Sequence, residues 1–516
     1  MKTPHDSVIY SELLVEALTR YREREAFVAG DRRMSYADAA NLVGRLHSAL
    51  RERGVGPDAG VVMLSPNAPE AWLVQAATYL LGARFSGIHL LSSRDDGVWL
   101  CDDVEPSVLV VHPTLIERGA AIHAGAASVQ HLLTLGPAET GEDLLKLAAQ
   151  VPAGQLLPGP ADPDTVAWVQ YTGGTTGKPK GVVMTHRSMA QQAMSWLSSY
   201  SVPERPRYLA ASPITHAGVL PVLPTLLHGG TVVLHSSFNP LAWLETVEHE
   251  RINFAFAVPT MLYALCDAAD GSHDLSSLET VVYGASPMNP SRIDDVRAIL
   301  GDVLVQAYAS TETCGITMFL RKDEHIPELY TSCGRPAVGI TAELLDTKGM
   351  PVPEGEIGEI CVRSPAVMQG YWKRPELTAQ ALADGWLHTG DLARRDERGF
   401  FHIVDRINDM IISGGYNIYP KEVEDAISSH PAVASVAVIG VPDEKWGEAV
   451  KACVVLRQGF SATAEEIIEV ARQMKGKHYA PKSVDFIDEI PVTAVGKFDK
   501  KSLRQRYWSG QTRQVH

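Results

Sequence analysis

The run Tyr171-Thr172-Gly173-Gly174-Thr175-Thr176-Gly177-Lys178-Pro179-Lys180-Gly181 concentrates Gly, Thr and Lys in one short stretch. Such a stretch can wrap a polyphosphate. Glycines let backbone N–H groups approach anionic oxygens, while Thr hydroxyls and Lys178 add donors and charge. The chemistry implied is that of a nucleoside triphosphate. Thr165–Gln170 before the run and Val182–Met184 after it read as strands, so the loop joins two strands. That arrangement excludes a Walker A loop, which needs four residues between Gly and Gly-Lys, then Ser or Thr and a helix; here three residues follow Gly173 before Gly177, and Pro179 follows the lysine. Taken alone, the run also fits a mobile Gly/Thr hairpin.

Further motifs follow in order: Tyr308-Ala309-Ser310-Thr311-Glu312, Gly385-Trp386-Leu387-His388-Thr389-Gly390-Asp391, Arg406-Ile407-Asn408-Asp409 leading into Ser413-Gly414-Gly415-Tyr416-Asn417-Ile418-Tyr419-Pro420, and Pro491-Val492-Thr493-Ala494-Val495-Gly496-Lys497. With the loop, this set resembles the motifs of the adenylate-forming superfamily, which comprises acyl-CoA synthetases, peptide-synthetase adenylation domains and luciferases. The similarity extends from about Tyr36 to about Leu503. It implies that ATP activates a carboxylic acid to an acyl-adenylate and that the acyl group then passes to the thiol of CoA, with Mg2+ as the accompanying cation.

Bringing a carboxylate to the α-phosphate makes two anions meet, so charge neutralisation and in-line positioning carry most of the catalysis. The resemblance distributes those tasks. Thr172, Gly173, Gly174, Thr175, Thr176, Gly177 and Lys178 would hold the β- and γ-phosphates. Glu312 would anchor Mg2+, a hard cation suited to a carboxylate oxygen with waters completing its shell, and Thr311 would donate to a phosphate oxygen. Tyr308 would lie on one face of the adenine, with Gly284-Ala285-Ser286-Pro287 as the other wall. Asp391 would accept from both ribose hydroxyls, with Arg406 reinforcing that contact. Lys497 would sit between the acid carboxylate and the α-phosphate, its point charge offsetting their repulsion. His216 would gate the passage between the acyl pocket, lined by Ala217, Ala307 and Ala309, and the thiol tunnel. Ser413, Gly414 and Gly415 would line that tunnel, where glycine leaves room for a thin chain. Trp446, Tyr479 and Lys482 are candidates for the CoA nucleotide, and read equally well as packing and surface residues.

Four positions depart from the family pattern: Gly173 stands where Ser is common, Ala309 where Gly is common, Asp405 where Gly usually precedes Arg406, and Asn408 at a hinge usually occupied by Asp or Lys. The methyl of Ala309 points to a shallow pocket and hence to an aromatic, branched or medium-chain acid. Asn408 raises the prospect of an enzyme biased toward one half-reaction.

The elements that must position these residues form an α/β pattern. Short β-rich runs such as Val61–Leu64, Val108–Val111 and Thr231–Leu234 alternate with amphipathic stretches such as Glu70–Leu81. From Gly339 to Val362 the pattern turns β-rich around a Gly/Pro turn. After the strand Phe401–Val404 a new unit begins, with helices at Lys421–Ser429 and Ala464–Met474 and strands at Val433–Ile439, Ala449–Leu456 and Ser483–Ile487. The expected organisation is a large N-terminal domain of parallel-rich sheets with helices plus a β-rich subdomain over residues 1–405, a hinge at 406–409, and a small mobile α+β domain over 410–516.

At 516 residues the chain is too long for one core. No apolar stretch approaches the roughly 18 residues of a membrane span, and Met1–Asp6 lacks the apolar core of a secretory signal. The six cysteines form no Cys-x-x-Cys pair and read as buried thiols of a reducing compartment, so a cytoplasmic location is expected. A formal net charge of −15 argues against nucleic-acid and anionic-lipid partners. A carrier-protein thiol as the acceptor would have to be supplied in trans, since no carrier domain follows Lys497. A hydrolase is excluded because Gly284-Ala285-Ser286-Pro287-Met288 lacks the last glycine of a nucleophile elbow. A dehydrogenase is disfavoured by the absence of Gly-x-Gly-x-x-Gly after an early strand. A non-catalytic nucleotide-binding module would bind ATP without acid-dependent pyrophosphate release; Lys497 and Glu312 argue against it.

Overall fold

Uninterrupted runs of β-branched residues require cover on both faces. Every residue of Gly60–Leu64 and Val108–Val111 is buried. In the computed structural model, which describes residues 8–159, 162–172, 179–407, 409–413, 416–443, 445–492 and 498–508, the two runs lie parallel in an 8-stranded sheet. Val62, Leu64, Leu109 and Val111 face helices Arg94–Val104 and Ile116–Gly125, while Val61, Met63, Val108 and Val110 face the main core. This is the period-two alternation of a strand.

A second, 13-stranded sheet contains the parallel strands Arg207–Ala210, Thr231–Leu234, Phe254–Ala257, Thr280–Gly284 and Leu304–Tyr308. Beyond Leu304–Tyr308 it continues as antiparallel strands that include Gly358–Arg363, Leu387–Arg395 and Phe401–Arg406, the β-rich region expected from sequence. Helix Pro69–Leu80, buried along its whole length, joins the sheets. Its Trp72 packs on Phe27 of the 13-stranded sheet with ring centroids 5.4 Å apart, and its Tyr79 packs on Phe85 of the 8-stranded sheet at 6.2 Å. The expectation of an amphipathic stretch is corrected here: no face of this helix meets solvent, and its buried Glu70 and Gln75 are partnered by Arg32 and by the Ile214 carbonyl oxygen.

The strands expected around the Gly/Thr/Lys run are Val166–Thr172 and Lys180–Thr185, paired antiparallel with Thr172 opposite Lys180. Residues 173–178 lie outside the described residues, as do Asn408, Gly414, Gly415 and Lys497.

After Arg406, the last residue of its strand, the next strand, Ile411–Ser413, belongs to a small 5-stranded sheet. Helices Pro420–Ser428 and Ala464–Lys475 cover one face of it and helix Lys500–Gln505 the other. Strand Val433–Asp443 outruns its expected end at Ile439, because its ladder with Gly447–Leu456 continues until Asp443 stands opposite Gly447. The architecture is thus α/β with a β-rich extension and a smaller α+β unit. Of the cysteines, Cys266 is half-buried, the other five are buried, and none is in a disulfide.

The two units meet in a cluster of buried charge. Asp405, 5% exposed, accepts from Lys421 N at 2.9 Å, at the N-terminus of helix Pro420–Ser428, where a carboxylate is favoured. Lys500 Nζ pairs with Glu424 at 2.7 Å, and Asp409 pairs with Arg504 at 2.8 Å. Burial works to discharge Lys500, but Glu424, Asp405 and Asp409 more than offset it and hold its pKa above the usual lysine range. Burial pushes the Asp405 carboxyl up to about 6 against the opposing pull of Lys500. The folded state therefore takes up this proton before the unfolded state does. The group's contribution to stability is full below its ordinary value of 3.8 and is lost as pH rises through about 6. Lys500→Met strands these carboxylates and should cost about 3 kcal/mol at neutral pH. Thermal unfolding should show that penalty shrinking once the pH falls below about 6.

Candidate active site

Ligands of open parallel sheets sit beyond the carboxyl ends of the strands, and of the expected nucleotide residues Gly284–Pro287, Tyr308, Asp391 and Arg406 gather there. Strand Thr280–Gly284 ends at Gly284, paired with Ala307 on the strand that ends at Tyr308. The backbones are so close that a Cβ on Gly284 would overlap the Ala307 carbonyl oxygen. The chain then turns through Ala285 at φ +69°, a left-handed conformation that is strained for a residue with a side chain. Gly284-Ala285-Ser286-Pro287 is thereby a tight shelf beside Tyr308.

Tyr308 and Arg406 converge on Asp391, which is 5% exposed. The Tyr308 hydroxyl donates to Asp391 Oδ2 at 2.7 Å, and Arg406 Nε donates to Oδ1 at 3.0 Å. Burial, and then the Asp391 charge, raises the Tyr308 pKa well above its usual value, so the phenol remains a donor. The turn before Asp391 is held as well: Gly390 N donates to Glu359 Oε1 at 2.8 Å, and Glu359 Oε2 lies 2.7 Å from His388 Nδ1. Glu359, Cys361 and His388 bring their ligand atoms within 4.8 Å of one another, but the His388–Glu359 bond already explains the orientation of that set. Asp391 was expected to offer both oxygens to a ribose. Each already accepts from protein, so a sugar would use its remaining lone pairs, of which a carboxylate has about four.

Glu312 follows the same strand, on a turn capped by Ser310, whose Oγ accepts from Thr313 N at 3.3 Å. Glu312 and Thr311 are half-buried. The Glu312 carboxylate accepts from the Tyr371 hydroxyl at 2.9 Å, and the Glu312 backbone carbonyl accepts from Met368 N at 2.8 Å. A half-buried, tethered carboxylate is the hard oxygen donor that suits Mg2+.

His216 lies after the strand Arg207–Ala210 on a segment pinned by buried amides. Asn67 Nδ2 donates to Ala210 O at 3.1 Å and to Ser212 O at 2.9 Å, its Oδ1 accepts from Ile214 N at 2.8 Å, and Gln75 Nε2 donates to Ile214 O at 3.2 Å. His216 Nδ1 is 3.0 Å from Thr215 Oγ1, and its ring meets that of His89 edge-on with centroids 4.8 Å apart. Burial, with a smaller contribution from His89, pushes His216 down to about 3, so it is neutral imidazole at physiological pH. Ala217 and Ala309 are half-buried, whereas Ala307 belongs to the main core.

The described CoA candidates belong to the small unit, Ser413 on its sheet and Trp446 and Lys482 each just before one of its strands. Ser413 stands opposite Gly447, and the ring of the neighbouring Trp446, 40% exposed, has Lys445 Nζ at 4.7 Å and Lys482 Nζ at 6.0 Å. Tyr479 packs against the core between the sheet and its helices, and burial followed by Glu422 pushes its pKa up to about 12, so packing accounts for much of its environment.

Residue reasoning missed Tyr371, Glu359, His89 and Asn67. Each acts on a partner brought near only by sheet order, and the Gly370-Tyr371 dipeptide carries no signal of its own.

A sequence profile described as AMP-binding enzyme matches residues 14–372, and one described as AMP-binding enzyme C-terminal domain matches residues 422–497. The chain belongs to the AMP-binding enzyme family. This AMP-binding enzyme is 41% identical to the medium/long-chain-fatty-acid–CoA ligase FadD8 of Mycobacterium tuberculosis, over 98% of this chain and 91% of that protein. It is 39% identical to a feruloyl-CoA synthase of an Amycolatopsis species, over 93% of this chain and 95% of that protein. The solved structure of the amide bond synthetase McbA from Marinactinospora thermotolerans superposes with a TM-score of 0.90 at 34% identity, covering 96% of this chain and 100% of that one. The adenylate-forming superfamily implied by the motifs is therefore the family found. Among the described residues, no helix is long and apolar enough to cross a membrane.

Two outcomes follow from this geometry. Gly284→Ala forces the strand bearing Tyr308 aside and should weaken ATP binding on the order of tenfold or more, with stability lowered by about 2 kcal/mol, as read by isothermal titration and thermal unfolding. Since His216 is already neutral, the acid limb of the kcat/KM profile down to pH 5 should be the same in wild type and in His216→Asn.

Proposed function

We propose that this AMP-binding enzyme is an acid:CoA ligase (AMP-forming) that converts a carboxylic acid and ATP to acyl-AMP and pyrophosphate, then transfers the acyl group to CoA with release of AMP. The observation that carries the reading is the convergence of Tyr308 and Arg406 on the buried carboxylate of Asp391, at the strand ends where Glu312 follows. In the first step a carboxylate oxygen of the acid attacks the α-phosphorus and the bond to pyrophosphate breaks. Tyr308 and the shelf Gly284–Pro287 hold the adenine, and Asp391 with Arg406 holds the ribose. Thr172, residues 173–178 and Thr311 hold the leaving phosphates. Glu312 is the residue that would hold Mg2+, which when bound neutralises phosphate charge. Lys497 offsets the repulsion between the acid and the α-phosphate.

In the second step the CoA thiol loses its proton, sulfur attacks the acyl carbonyl and AMP departs. Ser413, Gly414 and Gly415 line the thiol path, Trp446, Tyr479 and Lys482 meet the CoA nucleotide, and His216 stands between thiol and acyl pocket as a neutral ring. Asn408 is the pivot between residues 1–405 and 410–516. The acid is aromatic, branched or medium-chain. Support for this comes from the Ala309 methyl and from the relative named feruloyl-CoA synthase; the other relative's name covers medium- and long-chain fatty acyl substrates, of which this reading takes the medium. Location in the cytoplasm is part of the same reading.

Pyrophosphate release across an acid panel, with CoA, with holo-carrier protein, or with neither, tests this proposal. Acid-dependent release and a thioester formed only with CoA are expected, and a thioester formed only on the carrier protein would redirect the second step. Lys497→Ala should lower adenylation on the order of 10²–10³-fold while largely keeping thioester formation from supplied acyl-AMP. Unchanged adenylation in that variant would remove Lys497 from its role.

A further inference from the structure

Tyr371 stands at the edge of the 8-stranded sheet, on the short strand Gly370–Tyr371. That strand pairs antiparallel with the one leaving the Gly/Thr/Lys loop, with Gly370 opposite Val183 and Tyr371 opposite Val182. The pairing extends on both sides: Gln369 N donates to Val183 O at 2.9 Å, and Trp372 N donates to Gly181 O at 2.7 Å. The segment is then stapled to Asp103. Trp372 Nε1 donates to the Asp103 carbonyl oxygen at 3.0 Å and Arg374 binds Oδ1 at 2.8 Å, while Oδ2 accepts from the Tyr171 hydroxyl at 2.7 Å. Tyr171 is on the strand entering the same loop. Backbone and side chains therefore fix this segment to both strands that carry the loop.

From this anchored backbone the Tyr371 side chain reaches the other sheet. Its hydroxyl donates to Glu312 Oε1 at 2.9 Å, and Lys180 Nζ, at the exit of the loop, lies 5.0 Å from its ring centroid. We infer that Tyr371 is a positioning residue that fixes the Glu312 carboxylate relative to the two strands flanking the Gly/Thr/Lys loop, in the orientation from which it would hold Mg2+. The inference rests on the reading of Glu312 as the metal-binding carboxylate. An ordinary phenol is protonated at neutral pH, so the Tyr371 hydroxyl is available as the donor of this bond. A hydrogen bond on one oxygen fixes the rotation of the carboxylate, which would otherwise sample orientations that miss the cation.

The test uses the full chain with Mn2+ and ATP and no acid, so that no turnover occurs, and reads bound Mn2+ by electron paramagnetic resonance. Tyr371→Phe removes only the hydroxyl and keeps the ring under Lys180 and the strand pairing. It should weaken Mn2+ binding in the presence of ATP by about tenfold, leave metal-free ATP binding and the melting temperature unchanged, and raise the Mg2+ concentration needed for half-maximal pyrophosphate release. A merely structural role would instead lower the melting temperature and metal-free ATP binding together, and that result would overturn the inference. Glu312→Gln is measured alongside. If it abolishes Mn2+ binding while Tyr371→Phe binds as wild type, Tyr371 has no positioning role and the reading of Glu312 stands. If Glu312→Gln binds Mn2+ as wild type, both fall. The double variant Tyr371→Phe/Glu312→Gln should bind no more weakly than Glu312→Gln alone, since the two residues act as one unit.

Discussion

A carboxylate withdrawn from water must be supplied with donors by the protein, and Asp391 draws them from distant parts of the chain. Tyr308 comes from the end of a central parallel strand and Arg406 from the last strand before the small unit. Satisfying one buried charge thus joins the parallel core to the end of the β-rich extension, where the chain leaves for the small unit. Removing either donor would leave one oxygen of a buried carboxylate without its protein partner. Arg406 is also the residue next to Asp405, whose other neighbours are Lys421 and Lys500 of the small unit. The site and the domain junction are consecutive links of one electrostatic chain.

The same economy governs how the two sheets meet. Helix Pro69–Leu80 presents aromatic rings to both sheets, and Asn67, two residues before it, and Gln75, in its middle, turn their amide groups to the segment that carries His216. On the far side, Tyr371 crosses from one sheet to the loop of the other. The site residues are therefore held by hydrogen bonds that are buried or partly buried, which fixes positions more narrowly than apolar packing alone.

Local elements were legible in the sequence because local physics determines them. Helix Pro69–Leu80 begins at the proline that favours a first helical position, and Val108–Val111 coincides with its apolar run. The strand ending at Asp443 was read short because its extension depends on a partner strand. The candidate site was legible where a motif is contiguous, as at Tyr308–Glu312 and His388–Asp391. It was opaque where two residues far apart in sequence meet. Tyr371 and Glu312 are 59 positions apart and Glu359 and Gly390 are 31 apart, so their contacts follow from sheet order and no local pattern encodes them. The sharing of Asp391 between Tyr308 and Arg406 was hidden for the same reason.

The buried cysteines acquire a meaning beyond packing once the chemistry of an acyl-adenylate is considered. Such a species acylates any good nucleophile within reach, and the thiolate is the nucleophilic form of sulfur. Cys314 lies two residues from Glu312, yet burial pushes its thiol up to about 12; burial does the same to Cys361, with Glu359 adding to it. Cys333 is raised by burial and by Asp391 itself. Burial thus disfavours the thiolate at these three positions and also withdraws their sulfur from solvent, so an activated acyl group meets no exposed thiol among them.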